Sequence, residues 1–159
     1  MGMDISGINP IVESGEYFRA NCWSWRPLTL LCQFADKQFK LGIDFTYWDY
    51  NDGAGLRSDI ECLKLADALE AVLKVMDDLK EDEDILCVCL GSWVYSETGV
   101  FFHTDNRNKL NKEYPKGTIL YGSVIDIDGN LVQPAHSIKL WHIKEFITFL
   151  RTSGGFEIW

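Results

Sequence analysis

Apolar residues recur along this chain at steps of three and four in three stretches, and at steps of two or in short continuous runs elsewhere. That mixture predicts helices and strands together in an α+β fold. The clearest helix carries Cys62, Leu65, Leu69, Val72, Met76 and Leu79 on one face, and Ser58-Asp59-Ile60-Glu61 before it is a capping box. The Ser58 hydroxyl and Glu61 carboxylate of such a box satisfy amides that the first turn would leave unpaired. A second helix is predicted from near Pro27 through Leu28, Leu31, Cys32 and Ala35, fading at Asp36-Lys37, because proline is preorganised for a first helical turn. The aromatic segment from Tyr17 to Leu28 then reads as the entry to that helix. A third helix is predicted from Leu140 to Thr152, with Leu140, Ile143, Phe146, Ile147 and Leu150 on one face. Gly154 and Gly155 would stop it, since glycine accepts the left-handed conformation that closes helices. The rest, Ser153 to Trp159, reads as a helix stop followed by an aromatic tail.

Between these helices the pattern turns to strands. Ile85-Leu86-Cys87-Val88-Cys89-Leu90 is a continuous apolar run of strand length, as expected of a strand buried on both faces. Ile119, Tyr121, Ile125 and Ile127 alternate with smaller or polar neighbours, and Asp128-Gly129 opens toward Leu131-Val132, which predicts a β-hairpin. Val100-Phe101-Phe102 is a further strand candidate, and Thr104 to Gly117 reads as a long exposed connection. The expected architecture is a small, mostly antiparallel β-sheet packed against about three helices. With 159 residues and no linker or repeat, one globular domain spanning 1–159 is expected.

Charge narrows the range of partners. The chain has 15 basic and 24 acidic residues, a net charge of −9, which opposes the counterion release that drives binding to nucleic acid or anionic lipid. Asp77, Asp78, Glu81, Asp82, Glu83 and Asp84 surround only Lys80, so much of that charge is local. Acids at the C-terminal end of a helix are opposed by its dipole. The cluster is therefore either a solvated exit loop or a docking patch for a basic protein partner. Five cysteines form no disulfide framework, and Cys87 and Cys89 would point to opposite faces of a strand. That usage suits a reducing cytoplasm. No apolar run approaches the ~18 residues of a membrane span, and no signal-peptide pattern opens the chain. Met1-Gly2-Met3-Asp4-Ile5-Ser6 matches the loose myristoylation pattern, but without the basic patch that stable anchoring needs. A cytoplasmic protein without membrane attachment is expected.

The candidate chemistry is concentrated in one segment. Arg19, Asn21, Trp25 and Arg26, with Trp23 among them, combine guanidinium forks, an amide and stacking faces, while Asp52 lies in the turn-rich stretch Asn51-Asp52-Gly53. These residues suit two roles: a site for a carboxylate, phosphate or base, or a structural corner with tryptophans in the core and arginines paired to the acidic excess. No metal site is expected, since His103, His136 and His142 lack paired spacing and no CxxC occurs. Asp126-Ile127-Asp128-Gly129-Asn130 lacks the distal glutamate of a calcium loop. No phosphate loop, dinucleotide fingerprint or nucleophile elbow is present, so neither a cofactor nor a catalytic residue is assigned.

The opening Met1-Gly2-Met3-Asp4-Ile5-Ser6-Gly7-Ile8-Asn9-Pro10, the Tyr17-Phe18-Arg19 and Trp23 to Leu28 segments, Asn51-Asp52-Gly53 and the closing Ser153-Gly154-Gly155-Phe156 resemble a group of uncharacterised bacterial and phage-borne proteins. Many of that group carry central CxxC pairs, a zinc-knuckle-like part absent from this chain. The resemblance implies a shared scaffold at the two ends and carries over no site. Together these features point to a non-catalytic intracellular binding module that engages a protein partner, of the immunity or anti-defence type. The alternative is a binder of, or enzyme acting on, a small anionic or nucleotide-like ligand held by Arg19, Asn21, Arg26 and Asp52. A third reading is an oligomer built on the Ser58 to Leu79 helix.

Overall fold

The computed structural model describes residues 2–78, 119–121, 124–125, 131–133 and 136–159. In chain order the elements are β1 (Gly2–Gly7), a 3-10 turn (Glu13–Gly15), β2 (Tyr17–Asn21), α1 (Cys22–Phe39), α2 (Asp59–Asp78), β3 (Ile119–Tyr121), β4 (Val124–Ile125), β5 (Leu131–Gln133), β6 (His136–Ile138), α3 (Leu140–Thr152) and β7 (Phe156–Ile158). Their contacts fall into two compact units, Met1–Val72 with Trp141–Trp159, and Leu73–Leu140. The fold is a small α+β one, with a three-stranded antiparallel sheet and three helices among the described residues.

In the first unit, Met3 and Ile5 alternate with Gly2, Asp4 and Ser6, the period of two that gives a pleated strand one apolar and one polar face. The resulting β1 is the central strand of the order β2-β1-β7. Ile5 faces Phe18 across one ladder and Ile158 across the other. Met3, Ile5, Phe18, Ala20, Phe156 and Ile158 form a buried inner face. The ladder continues past β7, where Gly53 donates to the Ile158 carbonyl (2.8 Å), Ile158 to Ala54 (2.7 Å) and Phe156 to Leu56 (2.7 Å). The chain therefore runs antiparallel to β7 through 53–56. Both aromatic segments differ from expectation here: residues 17–21 and 156–158 are strands, because each alternates in the same period as β1 and pairs with one of its two edges.

Helix α1 begins at Cys22, five residues before the expected start, and ends at Phe39 rather than near Asp36. Asn21 is the N-cap, its Oδ1 accepting from the Ser24 amide at 2.8 Å, a bond that closes the first turn. Pro27 is tolerated inside because the cap and the buried Trp25, Leu28, Leu31 and Cys32 outweigh the single i→i−4 bond that its nitrogen cannot make. Lys40 closes the helix in the left-handed conformation (φ 52°). Helix α2 starts as predicted: the Ser58 amide and hydroxyl reach Glu61 Oε2 at 3.2 and 3.0 Å, and the Glu61 amide returns to Ser58 Oγ at 3.3 Å. Cys62, Leu65, Leu69 and Val72 are buried, as their spacing requires. Helix α3 has the predicted bounds, and Gly154 (φ 64°) and Gly155 (φ 106°) turn the chain back into β7.

The core between the inner sheet face and helices α1 and α3 is aromatic. The Phe146 ring lies 5.0 Å from Phe18, 6.1 Å from Trp25, 6.1 Å from Phe149 and 6.2 Å from Phe156, centroid to centroid. Trp48 joins it from the loop after α1, stacked 6.2 Å from Trp25 and edge-on to Phe156 at 5.3 Å. Trp25 Nε1 donates to the Trp48 carbonyl at 2.7 Å, fixing that loop to the helix. Trp48 Nε1 is buried without an acceptor among the described residues, a cost of about 1–3 kcal/mol. Ring burial at about 1.5–3 kcal/mol per side chain, plus about 0.5–1.5 kcal/mol per aromatic pair, exceeds it. Helix α2 is tied to α3 where Arg151 meets Asp67 and Glu70, both at 2.8 Å.

In the second unit, β3 pairs antiparallel with β6 and β4 with β5. In the β4–β5 ladder the register shifts between Val124 and Ile125. The hairpin expected around Asp128-Gly129 corresponds to β4 and β5, while those two residues lie outside the described ones. So do the expected strands at 85–90 and 100–102 and the connection at 104–117.

Two substitutions test this packing. Phe146→Ala should lower the unfolding free energy by about 3–5 kcal/mol, through lost transfer energy and the cavity left behind. A Cβ on Gly15 would lie 2.1 Å from the Thr152 carbonyl oxygen, so Gly15→Ala should lower it by about 1–3 kcal/mol. Denaturant titration of both variants measures each loss.

Candidate functional site

The outer face of the sheet presents the other half of the alternation: Asp4 and Ser6 from β1, Tyr17, Arg19 and Asn21 from β2, and Glu157 and Trp159 at the C-terminal end. All are half-buried or exposed. Trp159 lies one residue past β7 but stays in the ladder, exchanging two hydrogen bonds with Asp4 (2.9 and 2.6 Å). Its ring packs over Gly53, where even a Cβ would come within 3.1 Å of it, and half of the side chain remains in solvent.

Charges on this face are paired side to side. The Tyr17 hydroxyl donates to Asp4, and Arg19 Nε lies 3.6 Å from the same Asp4 oxygen. Arg57 meets Glu157 and donates to the Gly53 carbonyl at 2.7 Å. Pairs this exposed stabilise little, so their main effect is to orient the side chains. The hydrogen bond to Asp4 raises the Tyr17 pKa above its ordinary value of 10.0, because the neutral phenol is the form that donates it. At the edge of β2 the Arg19 carbonyl points away from β1, and His142 Nε2 donates to it at 2.9 Å. The His142 ring lies 4.9 Å from Phe18 and 5.0 Å from Trp141.

Of the five residues singled out in the sequence for ligand binding, Arg19 and Asn21 share this face. Asn21 spends its oxygen as the α1 cap. Trp25 is core, 1% exposed and bonded to the Trp48 carbonyl. Arg26 is exposed on α1 and Asp52 is exposed before Gly53. A groove of about 350 Å³ lies between the second half of α1 and the loop after it, lined by Gln33, Asp36, Lys37, Phe45 and Thr46, and none of the five enters it. Of the acidic run, Asp77 and Asp78 end α2, whereas Glu81, Asp82, Glu83 and Asp84 lie outside the described residues. Among the described residues no group of three or more potential ligands could hold a metal, and no helix is long and apolar enough to cross a membrane.

Asp4, Tyr17, Arg57, Glu157 and Trp159 were not recognisable as neighbours from their spacing. The one signal was the period of two in 2–6, 17–21 and 156–158, which marks strands but does not name their partners. What the face offers chemically is two half-exposed rings and fixed donors and acceptors on a hydrogen-bonded platform, groups suited to packing against another surface.

Fold and face together define a small α+β protein whose sheet buries one side and leaves the other open. No protein-family model, curated protein or solved structure matches the chain.

The Tyr17–Asp4 contact is testable by titration. Its contribution is present below pH 10 and is lost as the pH rises through the raised Tyr17 value. Asp4→Asn should bring the Tyr17 ionisation back down toward its ordinary value. The difference in tyrosinate absorbance against Tyr17→Phe isolates this residue.

Proposed function

We propose that the protein is a non-catalytic module that engages a protein partner through the open face of its sheet. The observation that carries this reading is Trp159, half exposed yet held by two backbone hydrogen bonds to Asp4 and by its ring against Gly53. An ordered tryptophan in solvent offers a large contact area at little further entropic cost, and such residues anchor binding interfaces. Tyr17, half exposed and oriented by Asp4, adds a second ring on the same face. The net charge of −9 favours a partner of basic character. A reducing cytoplasm as the place of action and the immunity or anti-defence class belong to the same proposal.

The full-length chain, cross-linked in its native host, should capture one protein that forms a stoichiometric complex when both are purified. Trp159→Ala, shown to be folded by its circular dichroism, should weaken that complex about tenfold or more, read by calorimetry. A complex indifferent to Trp159→Ala, or no stoichiometric partner, overturns the reading.

A further inference from the structure

The loop between α1 and α2 carries a surface that the open face does not explain. Its anchor is Trp48, 1% exposed, with its ring 4.6 Å from Phe45 and its carbonyl held by Trp25 Nε1. Two backbone bonds, Trp48 to the Phe45 carbonyl (3.2 Å) and Tyr50 to the Tyr47 carbonyl (3.1 Å), wind the chain tightly around that anchor. Tyr47 and Tyr50 consequently face outward, 58% and 60% exposed, with ring centroids 6.2 Å apart and planes inclined by 57°. Asp44, Asp49 and Asp52 flank them, all exposed, and residues 44–52 contain no lysine or arginine. The Thr46 hydroxyl and amide both donate to Asp44, which holds its carboxyl below the usual carboxylate range and keeps it charged.

Two inclined rings and three carboxylates match one kind of side chain closely. A guanidinium stacks on a tyrosine face while its fork binds a carboxylate, whereas an ammonium can do only the electrostatic half of this. We propose that the Tyr47–Tyr50 surface, with Asp44, Asp49 and Asp52, docks an arginine-rich segment of the partner protein. This rests on the partner-binding reading above and adds a second contact area and the chemistry of what it takes. Charge complementarity selects that occupant: a second copy of this chain or a nucleic acid would bring further negative charge to an acidic loop.

The probe is a labelled hexa-arginine peptide, titrated against the full-length protein by fluorescence anisotropy, with hexa-lysine as comparison. Hexa-arginine should bind about fivefold or more tightly than hexa-lysine. Tyr47→Ala with Tyr50→Ala, which leaves the charge unchanged, should weaken it about tenfold, while Tyr47→Phe with Tyr50→Phe retains binding. Asp49→Asn with Asp52→Asn should weaken binding, and Glu13→Gln with Glu16→Gln, an equal charge change elsewhere on the surface, should alter it less than about twofold. Unfolding midpoints confirm that each variant is folded. The proposal fails if the double alanine variant binds within twofold of the parent, if hexa-lysine binds equally well, or if the Glu13, Glu16 variant loses as much as the Asp49, Asp52 variant. These failures leave the capture experiment untouched, since a complex sensitive to Trp159→Ala but not to the tyrosine pair upholds the open face alone.

Discussion

Strand β1 is the constraint on which the first unit depends. Its backbone is hydrogen-bonded to β2 on one side and to β7 on the other, and Ile5 packs between Phe18 and Ile158 at the centre of the inner face. Without β1 the other two strands would have no partner in common, and α1 and α3 would have no surface on which to bury their rings. The close approaches around it follow from the same arrangement. Gly15 lies against the Thr152 backbone and Gly154 against that of Asn9, so the connection between β1 and β2 meets the end of α3 where a methyl group would not fit. The fold is held by contacts between residues far apart in sequence, and the cost of closing those loops is met by aromatic burial.

Because the strands are pleated, the same ladder that fixes the core also fixes what the outer face displays. Phe18 and Ala20 point inward, so Tyr17, Arg19 and Asn21 must point outward. Ile158 is buried, so Trp159 emerges on the open side with its backbone still paired. The Tyr47 to Tyr50 loop repeats the logic without a strand, since one tryptophan driven into the core leaves its tyrosine neighbours in solvent. In both places an ordered aromatic is exposed by the burial of the residue beside it, which is how a chain with six tryptophans both packs and presents them.

Helices were the more legible part of the fold, because their signals are local. The Ser58–Glu61 capping box, the spacing of Cys62, Leu65, Leu69 and Val72, and the two glycines after α3 each act within a few residues. The start of α1 lies at Cys22 and not at Pro27, since asparagine and proline both signal initiation and here asparagine caps the helix. Only the Asn21 to Ser24 bond shows which one caps the helix. The candidate site was legible in part: Arg19 lies on the open face, but Trp25, equally aromatic and two residues from the exposed Trp23, belongs to the core. A helix turns neighbouring residues to different sides, and composition carries no record of that direction.

By itself the sequence determined the helical periods, the caps and stops, the acidic balance and the alternation within each short strand, because these arise from local backbone and side-chain chemistry. Tertiary structure alone decided that Ile5 lies between Phe18 and Ile158, that Trp159 rests on Gly53, and which of the closely spaced aromatics would be buried. Those outcomes depend on pairing across most of the chain, and a period of two specifies that a strand has two faces without specifying which strand lies beside it.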